Sequence, residues 1–403
     1  MTATRIGRVA TLAGAAIVWF FAVALLWRTR VPGNLQLPSL DETAIFGADL
    51  VRRAERYERF FRIEWVLSTI VTFAALALMV RRGRRLASKL GLGPINAGII
   101  LGVVTMTVVW AASLPFALAS EWWQRRHGIS KQSYGDLLGL SWGDLIFTTT
   151  VGFLVLALLL GLAKKLGAKW WLAAAPMLVV LAVGLQLVLP YLLSIDTHPL
   201  RDRKLAGQIE QLERREHAGD PEILEQTVSD QTTSANAYAV GIGPSERVVF
   251  WDTLLDGRFS DDEVRFVAAH ELAHIARNHI PKGIVWYTLF LVPILAAVAY
   301  FTERRGGLRN PATVPLALLV IVGANLAALP LQNAASRHYE SEADWVGLTA
   351  TRDAGAARGL FRGFARTSLE DPTPPWWAHL LLDSHPSALE RIEQAEAWKL
   401  RNR

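Results

Sequence analysis

Seven stretches of the chain contain no Asp, Glu, Lys or Arg: 9–27, 65–80, 90–120, 145–163, 170–195, 283–302 and 310–336. A bilayer core about 30 Å thick takes roughly 20 apolar helical residues. Six stretches are near or above that length, and 65–80 joins them with Ile63 and slight local thinning. Trp and Arg gather at their ends (Trp27-Arg28, Trp65, Trp122-Trp123, Trp170-Trp171), where amphipathic rings and cations meet the membrane interface. The pattern predicts seven transmembrane helices, not the buried helices of a large soluble α protein. The first begins after Arg5 and Arg8 with no small-residue cleavage site behind it, so it reads as a retained helix.

Two regions are polar enough to lie in water. The expected organisation is a five-helix N-terminal membrane region (1–195), a first soluble part (196–282), helices 6 and 7 (283–336) and a second soluble part (337–403). Residues 31–38 and 371–375 read as loops from their Pro, Gly and Asn content. The expected fold is an all-α polytopic membrane protein carrying an α+β domain outside the bilayer.

The chemistry sits just before helix 6. Residues 270–274 read His-Glu-Leu-Ala-His. On a helix, His270 and His274 lie one turn apart on one face, a spacing at which both imidazoles reach one Zn²⁺. Glu271 is rotated about 100° away, beside the metal and not on it, where a carboxylate takes a proton from an activated water. Ser260 as N-cap with Glu263 three positions on is a capping box, and Val264, Val267, Ala268 and Leu272 give an apolar face. The motif therefore falls on a predicted helix, as that chemistry requires.

A third ligand is needed. The extended pattern with Gly at 277 and His at 280 fails, because these are Arg277 and Ile280, and there is no cysteine. Residues 336–344 offer carboxylates. Glu340 and Asp344 share a helical face, so Glu340 fits as the third ligand while Asp344 fixes a ligand histidine's tautomer. Glu342 points elsewhere and reads as solvated, and His279, His338, His127 and His198 are not assigned to the metal. Asn236, Ala237, Tyr238 and Ala239 alternate as in a strand with one open edge, and Arg247–Trp251 is positioned to pair with it. An extended peptide is expected to bind along this edge.

Composition then narrows the partners. The formal net charge is +6, with 34 Arg to 8 Lys. In a chain with this many apolar stretches, such charge flanks the bilayer and does not mark a nucleic-acid face. The absence of cysteine excludes disulfides and thiol chemistry.

These segments together resemble the integral-membrane CAAX prenyl endopeptidases. His127-Gly128-Ile129-Ser130-Lys131-Gln132-Ser133 looks like the family's His-Gly-Phe-x-x-Gln-Thr loop, and Asn236-Ala237 like its Asn-Ala strand. The 270–274 and 336–344 runs match its zinc motifs, and 384–392 looks like its C-terminal Ser-His-Pro-Pro-x-x-x-Arg segment. The resemblance implies one Zn²⁺ held by His270, His274 and Glu340, with Glu271 as base. It also implies His385 as stabiliser of the oxyanion, Arg391 as a nearby electrostatic partner, and helices enclosing a chamber. His385 is also the distant histidine best placed for that role from the residues alone, being followed by Pro386 and a charged helix. Ser387 departs from the second Pro, and the Arg-rich composition departs from sources where prenylated substrates are expected, so substrate identity does not transfer.

The implied fold adds a gluzincin-like α+β zinc protease domain to the membrane helices, and the implied activity is zinc-dependent hydrolysis of peptide or protein substrates at a lipid bilayer, expected to be the cell membrane. Two other readings compete. A zinc-containing membrane scaffold would close its site with four ligands, whereas three ligands plus a base are found here. A site-2-type intramembrane protease would carry the motif in a span and an Asp-Gly after it, but Asp256-Gly257 precedes it. Charge places the short basic segments, with thirteen Lys or Arg, on the cytoplasmic side and the active site opposite. The resemblance implies the reverse.

Overall fold

The long charge-free stretches lie on helices that run well past them. The computed structural model describes residues 3–193 and 196–402, with side chains of 3–13 and 15 left aside. The boundary expected at 195/196, and the side chains of Arg5 and Arg8, therefore lie outside the described residues. The membrane-like helices are α1 (Ala3–Leu26), α3 (Ala48–Leu90), α4 (Pro94–Arg126), α5 (Tyr134–Leu166), α6 (Trp170–Leu193), α10 (His279–Glu303) and α11 (Val314–Thr351), with the short α2 (Glu42–Phe46) preceding α3.

Among the described residues, five helical stretches are long and apolar enough to cross a membrane: Ala48–Leu90, Pro94–Arg126, Tyr134–Leu193, His279–Glu303 and Pro311–Thr351. The third holds both α5 and α6, joined through one tight turn at Gly167–Lys169. The apolar run Ala16–Leu26 at the end of α1 is shorter. At 1.5 Å per residue, α3 and α11 are about 64 and 57 Å long, twice a bilayer core. Both must project beyond the membrane. Residues 336 and 337, across which an organisational boundary was expected, sit in mid-helix.

Small residues set the bundle's packing. A Cβ added to Gly102 of α4 would lie 2.3 Å from Leu156 Cδ1 of α5. The two helices approach as closely as they do because that Cβ is missing.

The water-exposed part builds one core from β1 (Thr197–Pro199), α7 (Arg203–Glu216), β2 (Glu222–Gln226), β3 (Ala237–Val240), β4 (Arg247–Trp251), α8 (Asp252–Leu255), α9 (Asp261–Ala276), α12 (Ala354–Ser368), α13 (Trp376–Leu381) and α14 (Ala388–Arg401). The sheet order is β1-β2-β4-β3, with β2 and β4 parallel and the other pairs antiparallel. β3 is an edge strand, and Ala239 pairs with Val248 of β4.

Helix α9 starts at the Ser260–Glu263 capping box and is buried nearly all round from Val264 to Ala273. Phe266, Leu272, Val248 and Phe361 join one core across α9, β4 and α12. Ala343 and Gly347 let α11 lie directly on α9: a Cβ on Gly347 would sit 3.3 Å from His270 N. That close crossing brings the motif helix to the carboxylates of α11.

Candidate metal centre

His270 and His274, one turn apart on α9, turn their Nε2 atoms toward each other at 3.1 Å. Glu340, on the face of α11 that crosses α9, meets them with Oε2 at 3.2 Å from His270 Nε2 and Oε1 at 3.5 Å from His274 Nε2. The donor atoms of these three residues lie within 4.8 Å of one another. The outer nitrogens are engaged elsewhere. His270 Nδ1 lies 2.9 Å from Asp344 Oδ1, and His274 Nδ1 lies 3.0 Å from His279 Nδ1. With Nδ1 protonated in both rings, two imidazole lone pairs and a carboxylate face one point. Glu340 Oε2 is buried and, although His270 Nε2 lies 3.2 Å away, makes no well-aligned hydrogen bond among the described residues. Such a cluster is unfavourable unless a cation sits in it. The residues fit a divalent metal ion of the zinc type.

The electrostatics agree. Burial holds His274 down to about 3, so its ring is neutral, the form that binds metal. Burial also works against charge on His270, but Asp344 and Glu340 outweigh it and hold that ring up to about 10. The carboxylates thus favour positive charge at His270 Nε2, and a cation bound there would take the place of a proton.

Asp344 is 1 % exposed and gripped by Arg391, whose Nε and Nη2 donate to Oδ2 and Oδ1, both at 2.7 Å. Arg391 also lies over the Phe361 ring, 4.2 Å from its centroid. The pair fixes His270 from behind.

Glu271 is buried and its Oε2 accepts the backbone N–H of Ala239 at 2.9 Å. Burial pushes its carboxyl up to about 7, opposed by the charge of His270 and the Ala239 bond. The outer edge of β3 therefore faces the cluster, while Asn236 O accepts from Trp251 N on the paired side. Tyr238 reaches the other way, its OH 3.4 Å from Gln226 Oε1, and Ala237 is buried in the core. The 127–133 loop fixes this segment: Thr233 N donates to Ile129 O and Lys131 N to Gln231 O.

His385 lies on the solvent side, 56 % exposed, with Nε2 3.4 Å from Glu340 Oε2. Its loop is held by Arg337, which donates to the carbonyls of His379 and Asp383 at 2.7 and 2.6 Å. Ser387 caps α14 in a capping box with Glu390, so a serine starts this helix where the family pattern has proline.

One residue differs from the sequence reading, and another gains a contact that the sequence did not suggest. Glu342 is not solvated: it is 0 % exposed and bonds His279, Arg277 and Arg30 N. His279, not assigned to the metal, is not in the ligand cluster but reaches His274 from behind, because the chain turns at Asn278, whose φ is +54°. The alternation of Glu340, Glu342 and Asp344 held no signal for this, since a helical wheel cannot show what packs on its other face.

Residues 199–399 match the model of peptidase family M48, and residues 49–194 match that of the CAAX prenyl protease N-terminal, five membrane helices. The chain belongs to this family. It is thus a multi-pass membrane member of a metallopeptidase family, a membership that does not favour the scaffold reading. Within the family it is 31% identical over 248 residues to the uncharacterized metalloprotease YhfN of Bacillus subtilis, an alignment covering 58% of each chain. It is 25% identical over 308 residues to the CAAX prenyl protease 1 homolog of Arabidopsis thaliana, covering 70% of this chain and 71% of that one. The crystal structure of S. mikatae Ste24p shares the fold, with TM-score 0.73 at 18% identity over 95% and 97% of the two chains. Among the described residues, helix α9 is not one of the membrane-crossing candidates, so the motif lies outside the apolar spans of this chain.

Proposed function

We propose that the protein is a zinc endopeptidase that cleaves extended peptides at the membrane. The carrying observation is the convergence of His270 Nε2, His274 Nε2 and the buried Glu340 carboxylate beside Glu271 and the outer edge of β3. His270, His274 and Glu340 hold the ion, which supplies Lewis acidity to water and carbonyl oxygen when bound.

The chain's own groups do the rest. The outer edge of β3, apart from the Ala239 N–H given to Glu271, pairs with the substrate backbone and sets its register over the cluster. Glu271, aimed by Ala239 N–H, accepts a proton from the attacking water and returns it to the leaving amine. His385, exposed on the substrate side, donates to the oxygen that gains negative charge as the carbonyl carbon becomes tetrahedral.

A cavity of about 800 Å³ opens beside His274 and Glu340, walled by Leu159, Leu185, Trp286, Phe290 and Ile321 from the membrane helices. It suits a substrate with an apolar segment next to the cut. The names of the plant relatives point to prenylated peptides as one such class.

Purified protein in detergent is expected to carry about one zinc per chain and to cleave peptides with an apolar segment, the cut sites being read by mass spectrometry. Glu271→Gln should retain the zinc and lose turnover. Cleavage that survives Glu271→Gln in a metal-loaded protein would refute the assignment.

A further inference from the structure

The N-terminal segment lies outside both matched regions, yet it touches the back of the metal centre. Tyr339, beside the candidate ligand Glu340, donates its hydroxyl to Leu26 O at 3.0 Å and accepts from Trp286 Nε1 at 2.8 Å. His338 stacks on Trp27 with ring centres 4.4 Å apart and bonds Trp27 O at 3.0 Å. Arg30 N donates to Glu342 Oε1 at 2.9 Å. Three successive points on α11 are thus tied to residues 26–30.

From Glu342 the contacts lead inward. Its Oε1 also takes Arg277 Nε at 2.9 Å, and its Oε2 lies 3.1 Å from His279 Nε2. His279 Nδ1 lies 3.0 Å from His274 Nδ1. The proton positions follow from the chemistry. If Nε2 of His274 is to offer its lone pair, its proton is on Nδ1. His279 Nδ1 must then accept, so the His279 proton is on Nε2 and is donated to Glu342. Every donor in this chain has one acceptor, and the order is fixed from both ends.

We propose that residues 26–30 are a working part of the metal centre: they hold Glu342, which through His279 fixes the tautomer and ring orientation of His274. This rests on the metal-ligand reading above. His270 has a direct carboxylate behind it, Asp344 locked by Arg391. His274 has a carboxylate behind it at one remove, with an imidazole between. Partners of this kind behind a ligand histidine raise its basicity and prevent the ring from turning. The buried Glu342 also has a reason to be ionised there, because two cationic side chains and a backbone N–H surround it.

The test is zinc affinity of the full-length protein, by chelator competition in detergent, with thermal unfolding as the check on folding. His279→Ala should weaken zinc binding ~10–100-fold, the usual effect of removing such a partner. His279→Asn and His279→Gln separate positioning from packing. Asn keeps a polar atom near the δ position facing His274, whereas Gln is nearer to His in volume but places its amide further out. Positioning predicts tighter zinc binding for His279→Asn than for His279→Gln, and packing alone predicts the reverse. Arg30→Pro removes one N–H from Glu342 and should weaken zinc binding by less than about tenfold.

Wild-type affinity in folded His279→Ala, or Gln outperforming Asn, would overturn the role of His279. Unchanged affinity in folded Arg30→Pro would overturn the role of the N-terminal segment. If the wild-type protein itself bound no zinc, the metal-ligand reading would be the one to fail.

Discussion

The backbone N–H of Ala239 donates to Glu271 Oε2 at 2.9 Å, which joins the edge strand and the candidate base into one unit. The N–H expected from sequence to meet the substrate is already used to aim a carboxylate. Ala239→Pro removes that donor. Its main effect should be on kcat, about tenfold or more, with zinc content unchanged, because general-base efficiency depends on geometry. Steady-state kinetics on a folded variant decide: a rise in KM alone would mean that the N–H serves the substrate instead.

The ligands and their supports should separate in metal analysis. His274→Ala and Glu340→Ala should lose the ion outright during purification. Asp344→Asn and Arg391→Lys should keep it with affinity lowered ~10–100-fold, since they loosen His270 without removing a ligand. Full zinc occupancy in Glu340→Ala after dialysis against chelator would disprove the third-ligand assignment.

His385→Ala should leave zinc binding intact and lower kcat by roughly 10²–10³, the range for loss of one donor to a developing oxyanion. Its side chain is exposed, so the variant should fold as wild type, which circular dichroism checks. Near wild-type kcat would assign oxyanion stabilisation to other groups.

Glu216 gives a pH signature of stability. Among the described residues neither of its buried carboxylate oxygens has a hydrogen-bond partner, and burial pushes its carboxyl up to about 8, with His270 acting against. The folded value lies above the unfolded one, so the native state holds the proton more tightly. Stability is therefore unaffected below pH 4 and declines as pH rises toward 8. Glu216→Gln should match wild type at pH 4 and exceed it at pH 9 by ~1–3 kcal/mol, the cost of an unsatisfied buried polar group. Thermal unfolding at the two pH values measures this, and an equal offset at both would contradict it.

Charge asymmetry proposes the membrane side. The segment 81–94 carries five of the thirteen flanking Lys or Arg, and Ser88 is exposed near the end of α3. In this cysteine-free chain, Ser88→Cys should react with a membrane-impermeant thiol reagent only after lysis. Labelling of intact cells would place the active site on the cytoplasmic side, as the family resemblance implies.

The chemistry and the membrane character were readable along the chain because both are local. Absence of charge over some twenty residues is a property of consecutive positions, and so is a histidine pair one helical turn apart. The capping box at Ser260 and the pairing of Arg247–Trp251 with 237–240 were legible for the same reason. Tertiary structure alone decided what stands behind those residues. Glu342 reads as one more acid on an acidic helix and His279 as a histidine out of phase. They meet because α11 crosses α9 at Ala343 and Gly347 and the backbone reverses at Asn278. Arg30 is over three hundred residues from Glu342, so only the fold brings that N–H to it. Local periodicity determines which face a side chain occupies, whereas its partner is determined by the crossing of elements far apart in sequence.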